Sequence, residues 1–167
     1  MLPRSIRPML PKDRGWVQQF LADHWHGLSM ITRGKIHFPA QEQGFIAEMD
    51  YGIVGLVTFT VQNHACEILS LDSTRQGMGI GTALLDAVVE HARESGCRRV
   101  WLVTTNDNLN ALGFYQKRGF HLAAIYPDAV TRARLIKPTI PRLGENGIPL
   151  RDEIELEIIF AVQSCGS

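Results

Sequence analysis

Residues 76–82 read Gln-Gly-Met-Gly-Ile-Gly-Thr, between a strand-like run and a long helical pattern. Closely spaced glycines let the backbone approach a ligand without Cβ clashes, and they open N–H groups toward it. The start of the following helix adds about half a positive charge at the same point. The segment therefore predicts a site for a pyrophosphate or a similar anion at a strand–helix junction.

This glycine pattern differs from two common nucleotide-binding loops. No Gly-Lys-Ser/Thr follows it, so it is not a Walker A loop. A dinucleotide fingerprint starting at Gly77 would need a third glycine where Thr82 stands, and one starting at Gly79 would need it at Leu84. A nucleotide-binding α/β domain is therefore a weaker hypothesis for this chain. A turn whose glycines serve only packing is the plain alternative.

Charge and composition restrict the partners. Of the 167 residues, 17 are Lys or Arg and 17 are Asp or Glu, so the formal net charge is zero. Without an excess of basic residues, neither a nucleic acid nor an anionic membrane is an expected partner. The longest apolar stretch, residues 52–61, is about half of the roughly 20 residues that a membrane helix needs. One domain spanning residues 1–167 is expected.

The cysteines indicate a reducing compartment. Cys66, Cys97 and Cys165 make an odd count without a C-x-x-C spacing, which suits free thiols better than a disulfide framework. The predicted location is the cytoplasm. The histidines form no recognisable ligand spacing, so no metal site is expected.

Hydrophobic periodicity predicts a mixed α/β chain. Strands are predicted at 5–10, 45–49, 53–61, 66–71, 99–104, 120–125 and 153–160, and helices at 12–24, from the glycine segment to about 95, and at 108–118. Residues 25–43 give no firm assignment. Residues 127–152 contain four prolines and predict a long loop with one helical turn near 132–136.

Two motifs carry a family resemblance over residues 44–121. Gln76-x-x-Gly79-x-Gly81 resembles the acyl-CoA-binding motif of the GCN5-related N-acetyltransferase (GNAT) superfamily. Asn108-x-x-Ala111-x-x-Phe114-Tyr115-x-x-x-Gly119-Phe120 is similar to the second signature of that family, and the sequence from Phe45 to Gly55 resembles its central hairpin. The resemblance implies a GNAT-type acyl-CoA N-acyltransferase fold of the α/β (α+β) class, with a mixed sheet of six to seven strands flanked by helices.

The resemblance also implies a function. The expected reaction is direct transfer of an acetyl group from acetyl-CoA to a primary amine on a small molecule or a peptide, and the sequence leaves a homodimer open. A non-catalytic CoA or acyl-CoA sensor is the alternative. The expected cofactor-binding residues are Leu69, Leu71, Gln76, Gly77, Met78, Gly79, Ile80, Gly81, Thr82, Asn108, Ala111 and Tyr115.

Such a reaction needs a base for the acceptor. A lysine-like amine with a pKa near 10.4 costs roughly 4.6 kcal/mol to deprotonate at pH 7. Glu67 lies in the strand that holds the base in this family, and simple alternation places it on one face with Leu69 and Leu71. An exposed or salt-bridged strand residue is the alternative for Glu67, and Glu48 is a second candidate.

The reaction also needs an acid for the departing thiolate. Tyr115 occupies the family's tyrosine position, seven residues after Asn108, and a phenol can donate that proton. An aromatic side chain that merely packs in the core beside Phe114 is the alternative.

The C-terminal part offers a further hypothesis, that residues 127–152 wall the acceptor side of the cleft. Alternation in 153–160 predicts a strand with one solvated, acidic face. That face could pair with the arginines of the loop or meet a cationic acceptor; a solvated strand beside a surface loop is the plain alternative. The residues concerned are Arg132, Arg134, Arg142, Arg151, Glu153, Glu155 and Glu157.

Overall fold

A computed structural model describes residue 3 and residues 5–25 and 27–161. Cys66 and Cys97 are free and buried in it, whereas Cys165 lies outside the described residues. None of the described helices has the length and apolar character needed to cross a membrane. The strands are β1 (Ser5–Pro8), β2 (Met30–Thr32), β3 (Lys35–His37), β4 (Gln43–Met49), β5 (Gly52–Gln62), β6 (Ala65–Ser73), β7 (Arg99–Thr105), β8 (His121–Tyr126) and β9 (Glu153–Ile159), and the helices are α1 (Arg14–His24), α2 (Ile80–Glu94), α3 (Leu109–Lys117) and α4 (Ala129–Ile136).

Seven strands form one mixed sheet in the order β1-β4-β5-β6-β7-β9-β8. Within it β6 and β7 are parallel and joined through α2, and the other neighbours are antiparallel. The last strand, β9, inserts between β7 and β8 instead of extending an edge. The predicted mixed sheet of six to seven strands flanked by helices is confirmed.

Helices cover both faces of this sheet. On β5, Val57 belongs to the apolar cluster that includes Leu84 of α2, and Leu56 belongs to the cluster that includes Leu21 of α1. Because neighbouring residues of a strand point to opposite faces, α1 and α2 lie on opposite sides of the sheet. We call these sides the α1 face and the α2 face.

The pairing of β5 with β6 contains a bulge that changes which side chains share a face. Thr58 pairs with Ser70 and Phe59 pairs with Ile68, so Leu69 has no partner on β5. An extra residue of this kind shifts the alternation of the strand beyond it. The parallel pairing of β6 with β7 also ends there, at Ile68 and Leu102.

The unassigned residues 25–43 contain a two-stranded ribbon. Strands β2 and β3 pair antiparallel around Arg33 and Gly34, whose φ values are 49° and 74°. Positive φ at both central residues is the geometry of a tight hairpin turn that follows the natural twist of the strands. The ribbon reaches the α1 face, where Thr32 donates a hydrogen bond to Glu67 and the backbone of Arg33 donates one to Glu153.

The ribbon corrects the expected solvated face of the last strand. Glu153 and Glu155 are only 2% and 6% exposed. The Arg33 N–H donates to Glu153 at 2.9 Å and its guanidinium lies 3.3 Å from Glu155, while Arg99 lies 2.5 Å from Glu157. These carboxylates are paired mainly by arginines outside the predicted loop, because the ribbon brings Arg33 to this face and the neighbouring strand β7 carries Arg99.

Residues 127–152 are also more ordered than predicted. Helix α4 begins at Ala129 and makes about two turns, with Val130 and Ala133 buried. The guanidinium of Arg134 donates to the carbonyl oxygens of Ile140, Pro141 and Leu150, which satisfies acceptors of the loop that follows α4. This cation adds to the short antiparallel pairing of Leu143 with Pro149 in the same segment.

Candidate active site

A cleft of about 600 Å³ opens where β6 and β7 diverge beyond Ile68 and Leu102. Its walls are the end of β6, the glycine-rich loop, the start of α2, the end of β7 and one side of α3. Of the predicted site residues, those that line the cleft are Leu69, Leu71, Gln76, Gly77, Gly79, Ile80, Gly81, Thr82, Asn108, Ala111 and Tyr115. Two predicted site residues, Met78 and Glu67, are not among the described residues that line the cleft.

The glycine-rich loop has the backbone that its sequence predicts. Gly77 and Gly79 have φ values of 78° and 72°, a region that favours glycine. Gly79 caps α2, and its carbonyl oxygen accepts the first helical hydrogen bond from the N–H of Ala83 at 3.0 Å. The N–H groups of the first helical turn have no partner within the helix, and Ile80, Gly81 and Thr82 line the cleft. Because such donors suit an anion, we call this group the anion cradle.

Gly55 of β5 determines how closely this cradle approaches the sheet. A Cβ atom on Gly55 of β5 would lie 2.7 Å from Ile80 and 2.9 Å from Leu84. The bare backbone of β5 therefore lets the first two turns of α2 approach the sheet closely. This contact holds the N-terminus of α2 beside the open end of β6.

Arg118 is a cleft residue that sequence reasoning missed. Its Nε donates to the Thr82 hydroxyl at 2.9 Å, Nη1 donates to the Phe114 carbonyl at 2.8 Å, and the guanidinium lies 3.6 Å from the centre of the Phe114 ring. These contacts connect the end of α3 to the start of α2 and place a cation at the cradle. Its position directly before Gly119 of the second motif was the available signal.

Asn108 serves as the predicted cap of α3. Its side-chain oxygen accepts a hydrogen bond from the Ala111 N–H at 3.1 Å. The amide NH2 group of Asn108 is then available to donate to a ligand in the cleft.

Tyr115 combines a packed ring with a phenol in the cleft wall. The ring makes edge-on contacts with Phe114 and Phe120, at centroid distances of 5.1 and 5.3 Å. No other described residue hydrogen-bonds the phenol, although the residue is only 7% exposed. Burial, together with the negative charge of Asp72, raises the pKa of Tyr115, so the phenol carries its proton at neutral pH.

Asp72 is the second cleft residue that sequence reasoning missed. The indole Nε1 of Trp25, at the end of α1, donates to its Oδ2 at 2.6 Å. Loss of solvent raises the pKa of this half-buried carboxyl, and the hydrogen bond from Trp25 acts in the opposite direction. Asp72, Trp25 and His24 all line the cleft, so its α1 side is a polar, partly aromatic wall.

The bulge corrects the predicted face of β6. Leu71 pairs with Val57 and packs in the core on the α2 face. Glu67 pairs with Thr60, which lies on the α1 face, so Glu67 and Leu71 point to opposite sides. Simple alternation failed because Leu69 adds one residue between them.

Glu67 lies beneath the ribbon. Thr32 donates to its carboxylate at 3.3 Å, and Nε2 of the buried His37 lies 3.8 Å from it. Burial raises the pKa of Glu67 and lowers the pKa of His37. The second candidate base, Glu48, lies on β4, two strands away from β6, and forms an ion pair with Arg7 of the edge strand β1 at 2.8 Å.

Residues 127–152, which we call the C-terminal segment, reach the cleft through Glu145, which lines it. The Glu145 N–H donates to Oδ2 of Asp107 at 2.8 Å, and the Asn106 side chain donates to the Pro149 carbonyl at 2.9 Å. These bonds tie the segment to the turn that precedes α3. Across the described ranges, no group of three or more His, Cys, Asp or Glu side chains is arranged to hold a metal ion.

The cleft thus combines a split between two strands, a glycine-rich helix start and a tyrosine of α3. The acetyltransferase (GNAT) family model matches residues 12–120. The chain belongs to this family.

Two uncharacterized proteins of Bacillus subtilis (strain 168) are similar over most of their length. The chain is 48% identical to YdhI over 136 residues, covering 81% of this chain and 85% of YdhI. It is 44% identical to YxbD over 148 residues, covering 88% of this chain and 92% of YxbD. Among solved structures, a GNAT family acetyltransferase from Elizabethkingia anophelis with acetyl-CoA bound superposes with a TM-score of 0.65 at 22% identity, covering 93% of this chain and 97% of that one.

Proposed function

We propose that the protein is an N-acetyltransferase that moves an acetyl group from acetyl-CoA directly to a primary amine. One observation carries the proposal: the anion cradle at the start of α2 and Tyr115 of α3 line the same cleft, beside the open end of β6. A site that only held an anion would need the cradle and not the tyrosine.

The fit of coenzyme A can be judged from the residues present. Gly77 and Gly79 leave the cradle free of side chains, the start of α2 supplies N–H donors, and Arg118 supplies a cation. Acetyl-CoA in the related Elizabethkingia structure supports the same co-substrate here. The pantetheine arm would pass between the diverging strands, within reach of the Asn108 amide.

Polarisation of the thioester is assigned to the end of β6. Beyond Ile68 this strand has no partner on β7, so backbone N–H groups near Leu71 can point into the cleft. Such donors, fixed in position before the reaction, stabilise the negative charge that develops on the carbonyl oxygen.

Tyr115 is proposed as the proton donor to the departing thiolate. The neutral amine attacks the carbonyl carbon, the C–S bond breaks, and the sulfur takes the phenolic proton. The nitrogen, cationic after the attack, returns a proton to the phenolate. The phenol is suited to this role because it is protonated at neutral pH and no described side chain forms a hydrogen bond with it.

The acceptor is proposed to be a cationic amine on a small molecule or a peptide. A carboxylate, Asp72, lines the α1 side of the cleft, and a carboxylate attracts an ammonium group.

A thiol-release assay over a panel of polyamines, amino acids and peptide N-termini tests the function. Thermal shifts with acetyl-CoA, CoA, NAD and ATP first establish the ligand class. Selective stabilisation by acetyl-CoA together with amine-dependent thiol release is the expected result. Stabilisation by acetyl-CoA without release over the whole panel would favour the sensor alternative, and stabilisation by NAD or ATP alone would contradict both.

A further inference from the structure

The Asp72 carboxylate has one oxygen held and one oxygen available. Trp25 Nε1 donates to Oδ2 at 2.6 Å, and the described residues give Oδ1 no hydrogen bond. Asp72 and Tyr115 line the same cleft, and the negative charge of Asp72 acts on the Tyr115 phenol. The carboxylate is therefore oriented by the protein while part of it remains free for a ligand.

The bulge is the reason that Asp72 lies on the α1 face of the sheet. On β5, Leu56, Thr58 and Thr60 share the α1 face because this strand has no extra residue there. Their partners across the ladder are Asp72, Ser70 and Glu67, so these three share the α1 face as well. The Thr58 and Ser70 hydroxyls confirm the pairing, because they lie 2.6 Å apart.

Of the two carboxylates that β6 presents on this face, only one lines the cleft. Glu67 is covered by the ribbon through Thr32 and His37. Asp72 lies five residues farther along β6, beyond the point where β6 and β7 stop pairing. It is among the residues that line the cleft. An amine that enters the cleft from the α1 side therefore meets Asp72 before Glu67.

Charged and titratable groups surround Asp72 from several elements. His24 at the end of α1 acts on it electrostatically, and the charge of Asp72 in turn acts on Tyr115 of α3. Arg75, on the loop after β6, and Glu145, on the C-terminal segment, line the same cleft. On β5 its partner Leu56 is apolar.

We propose that Asp72 binds the ammonium group of the acceptor and removes its proton, with Trp25 holding the carboxylate in position. This inference rests on the proposed acetyltransferase function. In the step, one N–H proton of the ammonium moves to Oδ1, and the freed nitrogen lone pair forms the bond to the thioester carbon. After the acetylated product leaves, Oδ1 releases the proton to solvent.

The test compares Asp72→Asn with Glu67→Gln in acetyl-transfer assays from pH 5.5 to 10. Asp72→Asn is expected to lower kcat/KM for the amine by about 100-fold or more at neutral pH, with acetyl-CoA affinity unchanged within about twofold. We expect kcat/KM of the wild type to rise with pH on the acidic side of the profile, with acceptors of different amine pKa. Asp72→Asn should remove this acidic limb. Glu67→Gln should retain that limb at its wild-type midpoint.

Trp25→Phe provides a second measurement that leaves the carboxylate in place. Because the Trp25 hydrogen bond lowers the pKa of Asp72, its removal should move the midpoint of the acidic limb to higher pH. Three results would each overturn the proposal: a wild-type acidic limb in folded Asp72→Asn, loss of the limb in Glu67→Gln, or an unmoved midpoint in Trp25→Phe. Absence of transfer by the wild type to any amine would instead contradict the proposed function.

Discussion

The backbone N–H of Glu145 donates a 2.8 Å hydrogen bond to Oδ2 of Asp107, while the Thr105 hydroxyl holds Oδ1. Asp107 is only 5% exposed and lies in the turn just before the cap of α3. This one carboxylate therefore connects the C-terminal segment to the element that carries Asn108 and Tyr115.

Replacing Asp107 by Ala should loosen the acceptor side of the cleft. The change removes both hydrogen bonds and leaves the Glu145 N–H without its partner, so we expect the free energy of unfolding to fall by about 1–3 kcal/mol. The acceptor KM should rise more than the Kd for acetyl-CoA, because the glycine-rich loop is not involved. Urea unfolding and steady-state kinetics measure these effects.

Asp23→Ala is the matched control, since Asp23 is exposed and bonds only locally to Gln19. A more drastic version shortens residues 138–149 to a tight turn and should raise the acceptor KM strongly. If the shortened protein folds and uses its acceptor normally, the segment plays no part in substrate choice.

Gly79→Val should abolish acetyl-CoA binding. The φ of 72° at Gly79 costs an L-residue about 1–2 kcal/mol, and the side chain would enter the cradle. We expect the Kd for acetyl-CoA in calorimetry to rise at least 100-fold while the circular dichroism spectrum is retained.

Gly113→Ala is its control, because a Cβ there meets nothing within 4 Å. Alanine in the helix interior should leave binding intact and stabilise the fold by about 1 kcal/mol. Gly81→Val should also weaken binding, since a Cβ at Gly81 already lies 3.4 Å from the Phe114 ring. Undiminished affinity in a folded Gly79→Val protein would refute the cradle.

Tyr115→Phe should lower kcat by about 10- to 1,000-fold, the range for loss of an acid catalyst. The ring contacts with Phe114 and Phe120 remain, so stability and the KM for acetyl-CoA should change little. Tyr51→Phe is the control, because Tyr51 is 61% exposed. An unchanged kcat and pH–rate profile in Tyr115→Phe would leave the residue a core aromatic.

Acid should weaken the fold through Asp13. The guanidinium of Arg7 lies 2.7 Å from this buried carboxyl and lowers its pKa from 3.8 to about 2. Because the folded pKa is the lower one, the stabilisation is complete above the unfolded value and is lost as pH falls toward 2. Asp13→Asn should therefore cost about 2 kcal/mol at pH 7.

The difference in unfolding free energy between wild type and Asp13→Asn should narrow between pH 4 and pH 2 in denaturant titrations. A difference that stays constant over this range would show that the ion pair does not set the acid sensitivity. Asp23→Asn, on an exposed helix surface, should show no comparable change.

The local parts of the site could be predicted from sequence because they depend on neighbours a few residues apart. Glycine spacing at 77–81 determines where the backbone is bare, and Asn108 caps a helix that begins at the next residue. Alternation and helical periodicity located most strands and the long helix after the glycines. These patterns act within one element, so the linear sequence contains them.

The tertiary structure alone decided which carboxylates lie in the cleft and which lie beneath other elements. The bulge at Leu69 arises from pairing with β5, and it turns Asp72 toward the α1 face while Leu71 enters the core. Glu153 is buried because Arg33, 120 positions away, covers it. A carboxylate's environment is the sum of contacts across the sheet, and period-2 alternation does not reveal an extra residue in a strand or an element that covers its face.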